Sequence, residues 1–257
     1  MPPATTRLGI GRVRPGVMLL EVAFFAIGPM LAQTSPPATS SPDLSGFWER
    51  RDEAGSGSFG GTLEKIPHAA LKPVIIEANR QAAERAARGE VVSVASKWCG
   101  TNLYPFFMQH SAVWEIVQTP NEIAQVPEVH TFVRHIYLDG RKHPDAALLQ
   151  PSVNGHAIGR WDGDTLVVDS VGFVGGGATP GGGRTTPHSH LVERFHLFDS
   201  GKQLSVTFTW DDPTVYLKPH TYELTYHRSD SGTYAFEEYC HADDPAQGAS
   251  VVEPKQK

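Results

Sequence analysis

From residue 98 onward the chain runs in short stretches where apolar and polar side chains alternate, separated by turn residues. A period of two puts successive side chains on opposite faces of an extended strand. The pattern predicts strands near 112–118, 122–126, 129–138, 155–161, 164–173, 189–198, 203–211, 220–227 and 233–241. Strands so closely spaced, without helices between them, indicate a mainly β fold, an antiparallel barrel or sandwich. One earlier segment has helical character. It runs from about Lys72 to Arg88, is rich in Ala, Glu and Arg, and has Pro73 in its first turn and Gly89 as a stop.

Two turns set register. An Asp162-Gly163 loop pairs Trp161 with Asp164, Ile158 with Val167 and His156 with Asp169. A turn at 199–202 pairs Leu197 with Leu204, Phe195 with Val206, Glu193 with Phe208 and Leu191 with Trp210. Glu193 then lies on a face otherwise made of Leu191, Phe195, Leu197, Leu204, Val206, Phe208 and Trp210. A lone carboxylate there must be paired or protonated. It is therefore either a general acid/base or half of a structural pair, for which Arg134 is the candidate partner. The glycine-rich tract Val174–Pro187 joins two strands, so it lacks the strand-to-helix setting of a phosphate loop. It reads as a loose surface connection or as a flap.

Composition narrows the class. At 40% hydrophobic the chain is no disordered segment, and 25 Gly with 20 Pro oppose a helical bundle. A net charge of −6, without any Lys/Arg-rich run, argues against nucleic acid as a partner. Arg7, Arg12 and Arg14 followed by an apolar stretch over 17–32 have the layout of a secretory signal, with cleavage after Ala32 and no stable membrane insertion afterwards. The expected organisation is a signal over 1–32, a tether over 33–42, one barrel domain over 43–245 and a tail over 246–257. The protein is expected to be secreted or periplasmic. Cys99 and Cys240, the chain's two cysteines, form either a disulfide or a buried thiol pair.

The histidines supply further candidates. His188 and His190, two apart on a strand, could share a metal, although the odd step to Glu193 sends that carboxylate to the other face. His156 beside Asp169 would be oriented by the carboxylate or would be an ordinary exposed contact. Neither a Gly-x-Ser-x-Gly elbow nor a nucleotide fingerprint is present, which excludes an ordinary hydrolase triad and a Rossmann enzyme.

Gly46-Phe47-Trp48 resembles the opening Gly-x-Trp motif of lipocalin-type barrels, which implies an eight-stranded antiparallel barrel with Trp48 plugging one end. Four segments together resemble a largely uncharacterised family of exported bacterial β-barrel proteins. They are Ile136–Arg141, Gly155–Asp169, Pro187-His188-Ser189 with Glu193-Arg194-Phe195, and Asp212-Pro213 with Lys218-Pro219. That likeness implies export and a barrel but no activity; His220 and the long glycine tract depart from its pattern.

These readings combine into an expected exported enzyme of lyase, isomerase or hydratase type acting on a small, partly aromatic molecule. Glu193, with His188 or His156, would move protons, and Arg134 or Arg141 would stabilise negative charge. Phe195, Phe208, Trp210 and Tyr137 would line the pocket, and no cofactor is required. A carrier using the same pocket is one alternative. A metalloenzyme built on His188 and His190 is the other.

Overall fold

The computed structural model describes residues 41–50, 66–89, 104–109, 113–128 and 132–229. The expected signal over 1–32, most of the expected tether, the expected tail, both cysteines and the strand expected at 233–241 lie outside the described residues. In chain order the elements are β1 (Gly46–Glu49), α1 (Pro73–Ala87), β2 (Trp114–Gln118), β3 (Glu122–Pro127), β4 (Arg134–Tyr137), β5 (His156–Asp162) and β6 (Thr165–Val171). These are followed by β7 (Ala178–Thr179), β8 (Gly183–Arg184), β9 (His190–Phe198), β10 (Gln203–Asp211) and β11 (His220–Arg228).

Nine of these strands close a barrel in sequential order, with β11 returning to β1, and β7 and β8 form a separate hairpin. Eight of the pairings are antiparallel, and β4 with β5 is parallel. The expectation of a wholly antiparallel barrel is corrected here, and the reason is parity. Strand direction must be restored after one circuit of a closed ring, so nine strands cannot all alternate. The parallel step needs a long crossover, supplied by residues 138–155.

The 199–202 hairpin has the register read from the sequence, with Glu193 opposite Phe208 and Leu191 opposite Trp210. Ser200 and Gly201 both take positive φ there. The other hairpin is shifted. Gly163 and Asp164 form its loop, so Asp162 pairs Thr165, Ile158 pairs Asp169 and His156 pairs Val171. Gly163 adopts φ +64, which suits the first loop position of a two-residue turn. A slip of this kind changes cross-strand partners by two and keeps faces, so His156 and Asp169 still share one face without being opposite each other.

The inner faces pack a core dominated by Trp48, Trp114, Trp210, Phe195 and Phe208, all essentially inaccessible to water. Each such side chain contributes about 1.5–3 kcal/mol on burial. Trp48 donates from Nε1 to the Leu44 carbonyl at 2.9 Å and lies 4.4 Å beneath the Arg228 guanidinium, at the barrel end that carries the 199–202 turn. At the other end α1 is held by its first turn. Lys72 N–H donates to the Val215 carbonyl at 2.9 Å, and Ile75 is the helix's buried residue.

The glycine tract is not a loose connection. It folds as the β7–β8 hairpin against this end, with Thr179 and Thr185 buried and Thr179 Oγ1 2.6 Å from the Tyr216 hydroxyl. Gly183 is required by close packing: a Cβ there would sit 2.2 Å from Tyr216 Oη.

Candidate functional site

The barrel wall at β6 and β9 carries acids on both faces. Inside, Glu193 from β9 meets Arg134 from β4 across the core, both fully buried. Arg134 Nη2 donates to Glu193 Oε2 and, at 2.8 Å, to Ser170 Oγ. Its Nη1 donates to Gln125 Oε1 at 2.8 Å and to Glu193 Oε1 at 3.3 Å. Tyr104 donates its hydroxyl to Glu193 Oε1, and its ring lies 3.6 Å under the Arg134 guanidinium. Burial drives the Tyr104 hydroxyl well above the usual phenol range, so it remains a donor. Arg134 is thus the partner that the sequence pattern pointed to. Both carboxylate oxygens of Glu193 are occupied, which suits an anchored ion pair better than a group waiting to accept a proton.

Outside, a second cluster forms on the wall of β5, β6 and β9. The crossover 138–155 lays His143 beside His156 and Asp169, with Nδ1 2.8 Å from His156 Nδ1 and Nε2 3.0 Å from Asp169 Oδ1. His190 Nε2 reaches the same Asp169 oxygen at 3.0 Å. Because Asp169 accepts, a neutral His143 carries its proton on Nε2, and its Nδ1 accepts from His156 Nδ1. This assignment, made from the hydrogen bonds, leaves the lone pair of His156 on Nε2.

The electrostatics separate the groups. Burial, followed by the neighbouring His143, lowers the pKa of His156. The hydrogen bond to Asp169 raises that of His190, and chiefly that same bond holds Asp169 below the usual carboxylate range. Near neutrality Asp169 is an anion, and His156 is a free base.

His156 also lines an open groove of about 390 Å³ with Phe132, Val133, His135, Tyr137 and Asn154. The Tyr137 ring is 5.5 Å from that of His156. Arg141 lies 3.8 Å over Tyr137 and is chelated by Asp139, whose carboxyl it pulls down to about 2. The arrangement offers a base backed by a carboxylate, an aromatic wall and a cation nearby.

The residues singled out from the sequence therefore divide. His156 and Tyr137 line the groove, Arg141 stacks on Tyr137, and the Asp169–His190 pair reaches His156 through His143. Glu193 and Arg134 pair inside. Phe195, Phe208 and Trp210 belong to packed core; Phe208 stacks on Tyr222 at 5.0 Å, and Trp210 contacts Phe173 at 5.3 Å. His188 is exposed and joins neither cluster, while Ser189 beside it turns inward to Asp212. Among the described residues no group of three or more His, Cys, Asp or Glu is placed to hold a metal ion. His143 and Tyr104 were missed. Neither stands in an alternating run, and each is brought in by a segment outside the barrel strands.

No protein-family model matches the chain, and no curated protein matches it either.

Proposed function

We propose that the protein is an exported enzyme that transfers protons to and from a small, partly aromatic molecule bound in the groove. His156 Nε2 is the acid/base group, and His143 and Asp169 are its orienting chain. One observation carries this reading: the hydrogen-bonded series Asp169–His143–His156 ends on the groove wall beside Tyr137. A base with a lowered pKa is free to act at neutral pH, and the ionised carboxylate behind it steadies the cation formed when it takes a proton. Arg141 supplies positive charge to a developing anion. The acid/base function thus moves from Glu193 to His156, and the chemistry stays of lyase, isomerase or hydratase type without a cofactor. The likeness to exported bacterial barrel proteins supports export, and two of its segments, Ile136–Arg141 and Gly155–Asp169, build most of this site. The buried Trp48 supports a lipocalin-type ancestry, from which the parallel step departs.

Binding without turnover is a second reading, favoured by the fully occupied oxygens of Glu193. Hydrogen exchange separates the two. Aromatic ketones and hydroxy acids found to bind should gain deuterium at an acidic carbon when incubated with the protein in D2O. His156→Gln should lower that rate by about 10²–10⁴-fold while binding persists. Bound compounds that never exchange or react, or a His156→Gln variant that works unimpaired, would overturn the enzyme reading.

A further inference from the structure

Among the described residues, the buried side-chain atoms lacking a hydrogen-bond partner are Arg50 Nε, Gln109 Nε2, Trp114 Nε1, Arg134 Nε, Arg184 Nε and His220 Nε2. All are nitrogens, and no oxygen is among them. Arginine Nε and indole Nε1 can only donate. Buried donors are ordinarily satisfied by protein or water, and one left bare calls for a reason. The imbalance has a direction, because what is missing is an acceptor.

Three of these donors belong to one region inside the barrel. Trp48 and Trp114 are opposite each other on β1 and β2. Arg50, two residues beyond Trp48, follows on the same inward side, and it is 7% exposed. Its Nη1 donates to the Gln109 carbonyl at 2.9 Å, which ties it to the segment carrying the Gln109 amide. Trp114 packs edge-on to Tyr226 at 5.2 Å and to Phe107 at 6.0 Å. Tyr226 in turn donates to the Met108 carbonyl at 2.8 Å. The charged groups differ as well. Arg134 has Glu193, whereas among the described residues the titratable groups acting on Arg50 are Tyr222 and Tyr226, and burial lowers its pKa.

We infer that Arg50, Gln109 and Trp114 form an interior binding site for the carboxylate of a small organic acid. A carboxylate offers about four lone-pair positions on two oxygens, enough for a guanidinium, an amide and an indole N–H together. The surrounding Phe107, Trp114 and Tyr226 rings suit an apolar or aromatic body on that acid. The site is separate from the His156 groove and does not depend on the reading proposed for it.

The test is calorimetric titration of the purified mature protein, after exhaustive dialysis, with benzoate and octanoate and with their neutral amides. Either acid should bind about tenfold or more tightly than its amide. Trp114→Phe keeps an aromatic ring and removes the N–H together with the rest of the indole's five-membered ring, and should weaken the acids by about threefold to tenfold more than it weakens the amides. Arg50→Met should weaken the acids further. Acids that bind no better than amides would overturn the site and assign these donors to water. An unaltered acid affinity in folded Trp114→Phe and Arg50→Met proteins would overturn it equally. Should Arg50→Met fail to fold, the acid–amide comparison on the unaltered chain still decides.

Discussion

Glu193 and Asp169 are separated by the thickness of one sheet. Val168 is the β6 partner of Glu193, and Asp169 is the next residue along, facing the other way. Each acid is hydrogen-bonded to basic side chains, yet the two have little else in common. Glu193 sits among core aromatics with no water contact, and its partner is an arginine that cannot give up its proton. Asp169 is 43% exposed, and its partners are histidines, whose imidazoles can both give and accept a proton. Inside, the pair resists change because losing either member strands a charge in the core. Outside, water lowers the cost of each protonation state, so protons can move. The same acid chemistry gives an anchor on one face and a titrating device on the other.

The sharpest way to break this contrast is Arg134→Met. It leaves Glu193 buried without its cation and should lower stability by about 3–5 kcal/mol in urea unfolding. Adding Glu193→Leu should recover a large part of that loss, since an apolar pair of similar volume needs no solvation. A double variant as unstable as the worse single one would show that Ser170, Gln125 and Tyr104 matter more than the charges. Tyr104→Phe is the next step down. Removing one donor from Glu193 should cost about 1–3 kcal/mol, less than the arginine. An equal or larger loss would make Tyr104 the main support of the acid.

Much of this was legible in the sequence, and the division has physical causes. Period-two alternation around 190–210 fixed which side chains face inward, and hence that Glu193 needed a partner; Arg134 followed from the same parity. Lys72–Arg88 was readable from Pro73 and Gly89, and the helix spans Pro73–Ala87. The parallel step between β4 and β5 was not readable. Alternation records which face a residue is on and says nothing about strand direction, and the odd strand count emerges only when the ring closes. His143 was lost for that reason, because its place is set by the crossover. The glycine tract misled through composition: its glycines serve close contacts with Tyr216 and His220 rather than looseness.

On the outer face the effects are smaller and depend on pH. Asp169→Asn should move the His190 midpoint down toward the ordinary 6.5, read from imidazole NMR shifts. The signs follow from the shifts. The His190 pKa is raised in the folded state, so its contribution is complete below 6.5 and disappears as pH climbs through the raised value. Asp169 is lowered, so its contribution holds above 3.8 and is lost as pH falls through its folded value. His156 is lowered too, and opposes folding as pH drops below 6.5, where the unfolded chain takes up a proton first. A His190 midpoint unmoved by Asp169→Asn would dissolve the cluster as a linked unit.

Salt gives the smallest effect and the most direct comparison of the two faces. At 1 M ionic strength the screening length falls to about 3 Å. Water reaches the Asp169–His190 contact, so added salt should draw the His190 midpoint part of the way back toward 6.5, by about a few tenths of a pH unit. Ions cannot enter between Arg134 and Glu193, so the stability lost in Arg134→Met should be the same at 0.1 M and 1 M salt. Equal sensitivity on both faces would mean that solvent penetrates the barrel to Glu193. The carboxylate would then no longer be a sealed anchor, and an acid/base role for it would return.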